Sequence, residues 1–298
     1  AASRAGMNRS ILRLAVPALG ALIAEPLFLI VDAALVGHLG VTPLAGLGIA
    51  SAVLQTIVGL MVFLAYSTTP AVARKFGASD TRGAVSVGID GIWLALGLGT
   101  VLAVAGAYAA PGLVALVGAT PEVAAQASIY LGISMAGLPA MLVVFAATGL
   151  LRGLQNTVTP LWVAGIGFAA NALLNWLFIF GFGWGIAGSA LGTVAAQWGM
   201  VLVYVVVIGR IARQHRAPLR PHRAGLRGSA RAGGWLFLRT LSLRIAMLLT
   251  IVVATALGTE ELAGYQVVFT IFSTAAFALD ALAIAAQALI GKSLGAGD

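Results

Sequence analysis

Charged side chains are scarce in this sequence, and those that interrupt apolar runs are where chemistry would sit. Glu25 and Asp32 lie seven residues apart in the run from Ile11 to Val36, so on a helix they share a face. Pro26 lies between them and Pro17 precedes them; proline removes a backbone donor and can kink a helix. A carboxylate on a kinked apolar helix is a candidate cation or proton site, because burial disfavours its charged form and permits proton exchange near neutral pH. Asp32 is the stronger candidate, against the alternative of a hydrated position near the outer interface. For Glu25, nearer mid-run, a helix-packing hydrogen bond is an equal alternative.

Uncharged polar groups recur at helical spacing. Asn171 and Asn175 are one turn apart, Thr193 and Gln197 likewise, and Tyr130 stands in a further apolar run. Such groups can coordinate a cation or anchor a carboxylate; interhelical hydrogen bonding is the competing account. Arg239, Arg244 and Asp280 form a second candidate polar site, since opposite charges at membrane depth usually pair. Asp90 reads as interfacial. The sequence contains no HExxH, GxSxG or Walker A pattern. His38, His215 and His222 are too scattered for a metal site, and with no cysteine there is no thiolate ligand either. Neither an enzyme nor a bound cofactor is expected.

The elements that carry these residues follow from composition. The chain has 298 residues, 60% hydrophobic and 9% charged, where a soluble domain has about 25% charged. Too little polar surface exists to face water, so the bilayer is the solvent. Eight stretches reach the roughly 20 apolar residues that a span needs, at about 11–36, 45–73, 84–109, 123–150, 158–181, 186–209, 235–257 and 263–290. Pro111–Thr120 is apolar but short and reads as a surface-lying segment.

Lysine and arginine alternate between the connections. Arg4, Arg9 and Arg13 precede the first span; Arg74, Lys75 and Arg82 follow the second; Arg152 follows the fourth; seven arginines from Arg210 to Arg231 follow the sixth; Lys292 follows the eighth. The odd connections contain none. The positive-inside rule then puts the N-terminus in the cytoplasm. The formal net charge of +8 is a topology signal, with membrane lipid rather than nucleic acid as the partner. No obligate protein partner is evident.

Shifted by 218 residues, Val31–Asp80 lies on Leu249–Asp298 without a gap: HLGVTPLAG meets ALGTEELAG, and KFGASD meets SLGAGD. Both copies run outside to inside, so the repeat is parallel, about an axis along the membrane normal. The expected fold is an all-α polytopic membrane protein, a two-lobe helical bundle with an internal repeat and eight of an expected twelve transmembrane helices. Residues 1–209 form a six-helix lobe, 210–234 a basic cytoplasmic inter-lobe loop, and 235–298 the first two helices of a lobe that stops short.

The chain resembles the multidrug and toxic compound extrusion (MATE) family, in particular its DNA-damage-inducible (DinF-like) branch. The segments that carry the resemblance are AEPLFLIVDAALVGHLG from Ala24 to Gly40, GLLRGLQNTVTPL from Gly149 to Leu161, NALLNWLFIFGFGWGIAGSALGT from Asn171 to Thr193, and LDALAIAAQALIGKSLGAGD from Leu279 to Asp298. The resemblance implies two six-helix bundles around a central cavity, and export of organic cations or toxic compounds driven by inward H⁺ or Na⁺. It implies that Asp32 centres the coupling site, with Asn171, Tyr130 and Thr193 in the same cluster. Asn175 stands where many members have a second aspartate. That departure favours protons over sodium, with Asp32 acting alone or with Glu25; a sodium ion near Asp32 is the remaining metal possibility.

The function expected is therefore a cation-coupled antiporter for small amphipathic or cationic solutes, in the inner membrane of a bacterial-type cell. A lipid-linked sugar flippase is the alternative within transport, disfavoured because no Arg or Lys lies mid-span in the first lobe. A non-transporting scaffold is the alternative outside it.

Overall fold

Long apolar runs form helices here because a helix satisfies its own backbone donors and acceptors where water cannot. The computed structural model of the chain describes residues 4–116, 118–257 and 259–297. Ten α-helices follow one another: α1 Arg4–Gly37, α2 Val41–Met61, α3 Phe63–Gly77, α4 Thr81–Ala115, α5 Pro121–Ser134, α6 Leu138–Gly153, α7 Val158–Trp176, α8 Gly185–Gln214, α9 Arg223–Leu257 and α10 Thr259–Ala296. Among the described residues they compose eight segments long and apolar enough to cross a membrane. Their outward faces carry large exposed apolar side chains such as Ile30, Trp162 and Leu202, a surface suited to lipid and not to water.

Two spans are broken midway. One is interrupted at Val62, between α2 and α3. The other passes through a 3₁₀ turn, Met135–Gly137. Proline explains the second break: Pro139 has no N–H to give the Met135 carbonyl, which accepts instead from the Leu138 amide. The end of α7 widens into a π turn, Leu177–Gly181, with the Phe182 amide donating to the Leu177 carbonyl at 3.0 Å. π turns of this kind gather at functional sites, and this one begins two residues beyond Asn175.

The connections differ from expectation in three places. Pro111 lies inside α4, which runs on to Ala115, so the first half of Pro111–Thr120 is the end of a span. Between α8 and α9 only 215–222 is non-helical, because α9 begins at Arg223 within the basic stretch. Asp90, read as interfacial, is buried beneath the connection: it accepts from the His222 amide at 2.8 Å and lies 3.8 Å from His222 Nδ1. With Trp93 Nε1 donating to the Leu219 carbonyl at 2.9 Å, this ties the connection down onto α4. In the repeat motif, Gly258 and the side chains of Glu260 and Glu261 lie outside the described residues.

The repeat is visible as geometry where α3 meets α10. Under the 218-residue shift, Gly77 corresponds to Gly295, Arg74 to Lys292 and Ala73 to Gly291. A Cβ on Gly77 would strike the Lys292 carbonyl, and one on Gly295 would strike the Arg74 carbonyl. The contact is thus reciprocal, as an isologous interface requires. A Cβ on Gly291 would stand 2.9 Å from Ala73 Cβ, so this equivalent pair sits on the pseudo-two-fold axis itself. Lys292 Nζ lies over the Phe76 ring at 5.8 Å.

The turn from α3 into α4 is set by Asp80, whose carboxylate accepts from the Gly83 amide at 2.8 Å and pairs with Lys75 at 3.4 Å. The Gly83 hydrogen bond foremost, with Lys75 beside it, holds this carboxyl below the ordinary aspartate range. A depressed folded value means that the stabilisation is complete above the unfolded value of about 3.9 and lost as pH falls through the folded one. Relative to intrinsic rates, exchange of the Gly83 amide is expected to accelerate in acid, and at neutral pH in Asp80→Ala. Unchanged protection in that variant would remove the cap from the account.

Candidate functional site

Five polar side chains from three helices surround Asp32 near the C-terminal end of α1. Asp32 Oδ1 accepts from Ser189 Oγ at 2.6 Å and from Asn175 Nδ2 at 2.8 Å; Oδ2 accepts from Tyr130 OH at 3.2 Å. Asn171 Nδ2 donates to Thr193 Oγ1 at 2.9 Å, and Asn171 Oδ1 accepts from Asn175 Nδ2 at 3.2 Å. Thr193 Oγ1 donates in turn to the Ser189 carbonyl at 3.0 Å. All six residues are buried.

Helical spacing makes the cluster. Asn171 and Asn175 are one turn apart on α7, Ser189 and Thr193 one turn apart on α8, so each pair projects from one face. Gly192 lets α8 come close, since a Cβ there would collide with Asn175. The apolar side chains of Val36, Leu47, Leu131 and Ile186 seal the surroundings. A buried polar network is stable only when its members are satisfied; here Asn175 Oδ1 alone among these side-chain atoms is buried without a hydrogen-bond partner.

The structure therefore brings together Asp32, Tyr130, Asn171, Asn175 and Thr193, and adds Ser189. Serine in an apolar span is so often mere packing that its distance of four residues from Thr193 was the one available signal. The Glu25 side chain lies outside the described residues. Arg239, Arg244 and Asp280 are not assembled into a site: among the described residues neither arginine forms an ion pair with Asp280, and both arginines are exposed. Arg152, expected in a connection, is instead buried on α6.

Chemically, the cluster is a lone carboxylate held by neutral donors, with no cation paired to it among the described residues. The Asn175 amide donates to Asp32 where a second carboxylate would oppose it. Adjoining the cluster, a cavity of about 110 Å³ is lined by Tyr130, Asn171, Thr193, Gln55 and Gln197, with the stacked pair Phe28 and Phe168 at 5.4 Å. It shares Gln55, Phe168 and Met200 with a second cavity of about 340 Å³.

The MatE family model matches residues 17–177 and 236–298. Protein DETOXIFICATION 44, chloroplastic, of Arabidopsis thaliana is 30% identical over an alignment of 305 positions that covers 98% of this chain and 58% of that protein. DNA damage-inducible protein F of Escherichia coli K12 is 27% identical over 98% of this chain and 64% of its own length. The chain thus spans less than two thirds of these relatives. Among solved structures, an outward-facing multidrug resistance MATE family transporter of the MOP superfamily superimposes with a TM-score of 0.86 at 26% identity, over 96% of this chain and 65% of that one.

Proposed function

The chain belongs to the MatE family, a family of multi-pass membrane transporters rather than enzymes, and on that footing we propose that the protein is a proton-coupled antiporter. It exports small amphipathic solutes, organic cations among them, by alternating access of two lobes. Its N-terminus faces the cytoplasm, and its setting is the inner membrane of a bacterial-type cell.

One observation carries this reading: Asp32 is 3% exposed and accepts hydrogen bonds only from neutral groups. An isolated buried charge is costly, so a cation must answer it. A proton removes the charge outright. It also turns one of the acceptor oxygens into a donor, so the contact on that oxygen must reverse, and loss of the charge weakens the hydrogen bonds that remain. The three partners come from α5, α7 and α8, so protonation is felt by three helices at once. Those helices also line the adjoining cavity, which links the proton to the hold on the solute.

Proteoliposomes containing the full-length protein test the choice of ion. With a fluorescent organic cation as cargo, efflux is expected under a pH gradient alone. Efflux under a Na⁺ gradient at equal pH would reassign the coupling ion. Efflux under neither gradient would overturn the antiporter reading.

A further inference from the structure

The second cavity carries positive charge of its own. Arg152 on α6 and Arg244 on α9 both line it, together with Tyr66, Thr148 and Tyr204, and among the described residues no carboxylate contributes to its wall. Arg152 is 8% exposed, yet its Nε has no hydrogen-bond partner, and among the described residues no acid pairs with it. Arg244 reaches across from the other lobe until its guanidinium lies against Gly59, where a Cβ would collide with it. Tyr204 is held by its hydroxyl to Thr148 at 2.8 Å.

A guanidinium presents five donors in a plane suited to carboxylate or phosphate. Removing one from water without an opposite charge is unfavourable, and an unsatisfied buried donor such as the Arg152 Nε calls for an explanation. Among the described residues no ion pair provides one here. Simple organic cations do not provide one either, because two arginines facing one space repel them.

We propose that this cavity is an oxyanion site, in which Arg152 and Arg244 bind the carboxylate or phosphate of an amphipathic solute. The inference takes the transport cavity proposed above as its premise and narrows the cargo. Tyr130, which donates to Asp32, lines the first cavity, and the arginines line the second. The cargo that fits this polarity carries an acidic group alongside its apolar body. The same chemistry could be presented by the headgroup of an anionic phospholipid.

Fluorescein and rhodamine 6G share a xanthene frame and differ in charge, so together they isolate the electrostatic contribution. Binding to the purified full-length protein is read by fluorescence anisotropy in uncharged detergent, in alkaline buffer where fluorescein is a dianion. Fluorescein is expected to bind, with its Kd raised roughly 10- to 100-fold in Arg152→Gln and in Arg244→Gln and partly restored in Arg152→Lys. Rhodamine 6G is expected to bind more tightly in both glutamine variants. A merely structural role would weaken both dyes together, and that result would overturn the proposal, as would fluorescein affinity indifferent to both arginines.

Displacement of fluorescein by dihexanoyl phosphatidylglycerol, with no effect of glycerol 3-phosphate, assigns the oxyanion site to a lipid headgroup. Displacement by neither assigns it to the solute; both outcomes keep the site. Binding in detergent needs no gradient, so the two readings fail separately. Anion binding without gradient-driven export would count against the antiporter alone. Export of rhodamine 6G without anion binding would count against the oxyanion site alone.

Discussion

Asp32→Asn is expected to abolish the dependence of export on a pH gradient while leaving the protein folded. The substitution is close to isosteric, and its hydrogen bonding can be traced atom by atom. The amide oxygen can still accept from Ser189 and Asn175, which now share one carboxylate oxygen. The new amide N–H groups meet Tyr130, whose hydroxyl can turn from donor to acceptor. The network thus survives with a stability change of about 1 kcal/mol, the net worth of an ordinary hydrogen bond. What disappears is the titratable group. Coupling between two sites is typically a factor of about 5–150, so gradient stimulation should collapse from that range to none. Asp32→Ala is the poorer test, because it strands three buried donors at about 1–3 kcal/mol each and confuses misfolding with uncoupling. The comparison is made in proteoliposomes, with the thermal midpoint of each preparation measured alongside. Wild-type stimulation by a pH gradient in Asp32→Asn would remove Asp32 from the coupling mechanism.

Much of this site was legible because polar residues are rare in apolar spans. Asp32, Asn171, Asn175, Tyr130 and Thr193 stood out against their neighbours, and helical spacing put them on common faces. Ser189 did not stand out, since a small hydroxyl in a membrane helix is ordinary packing material. Arg152 misled for a different reason. The positive-inside rule sorts charges by position along the chain, and a residue at the end of a span counts as a loop cation whether or not helices close over it. Burial by α6's neighbours is tertiary information. The expected pairing of Arg239 or Arg244 with Asp280 rested on depth alone, whereas an ion pair also requires two faces to meet. The span count was readable from hydropathy, but only one of the two mid-span breaks had a visible cause. Pro139 marks the turn at Met135–Gly137, while nothing as local marks Val62.

The repeat was weak as sequence and is sharp as structure, and this makes it testable. Gly295→Val is expected to force α3 and α10 apart, because the added side chain would enter the space of the Arg74 backbone carbonyl rather than a side chain that could turn aside. Overpacking of this kind costs typically about 1–3 kcal/mol. The pseudo-two-fold axis predicts that Gly77→Val does the same from the other side, against the Lys292 carbonyl. It predicts in addition that the two are not independent. Once either valine has separated the helices, the second finds room already made, so the double variant should be destabilised by less than the sum of the two. Gly228→Val on α9 supplies the control, since a Cβ there meets nothing within 4 Å. Thermal midpoints report the energies, and spin-label distances between the ends of α3 and α10 report the separation. Additive losses with no change in distance would mean that these glycines act locally and that the axis organises no interface. A shared, sub-additive opening would identify this reciprocal contact as the place where the lobes are joined. Alternating access would then have to break and remake it, and the same valines would shift the balance between the two conformations as well as the stability of the fold.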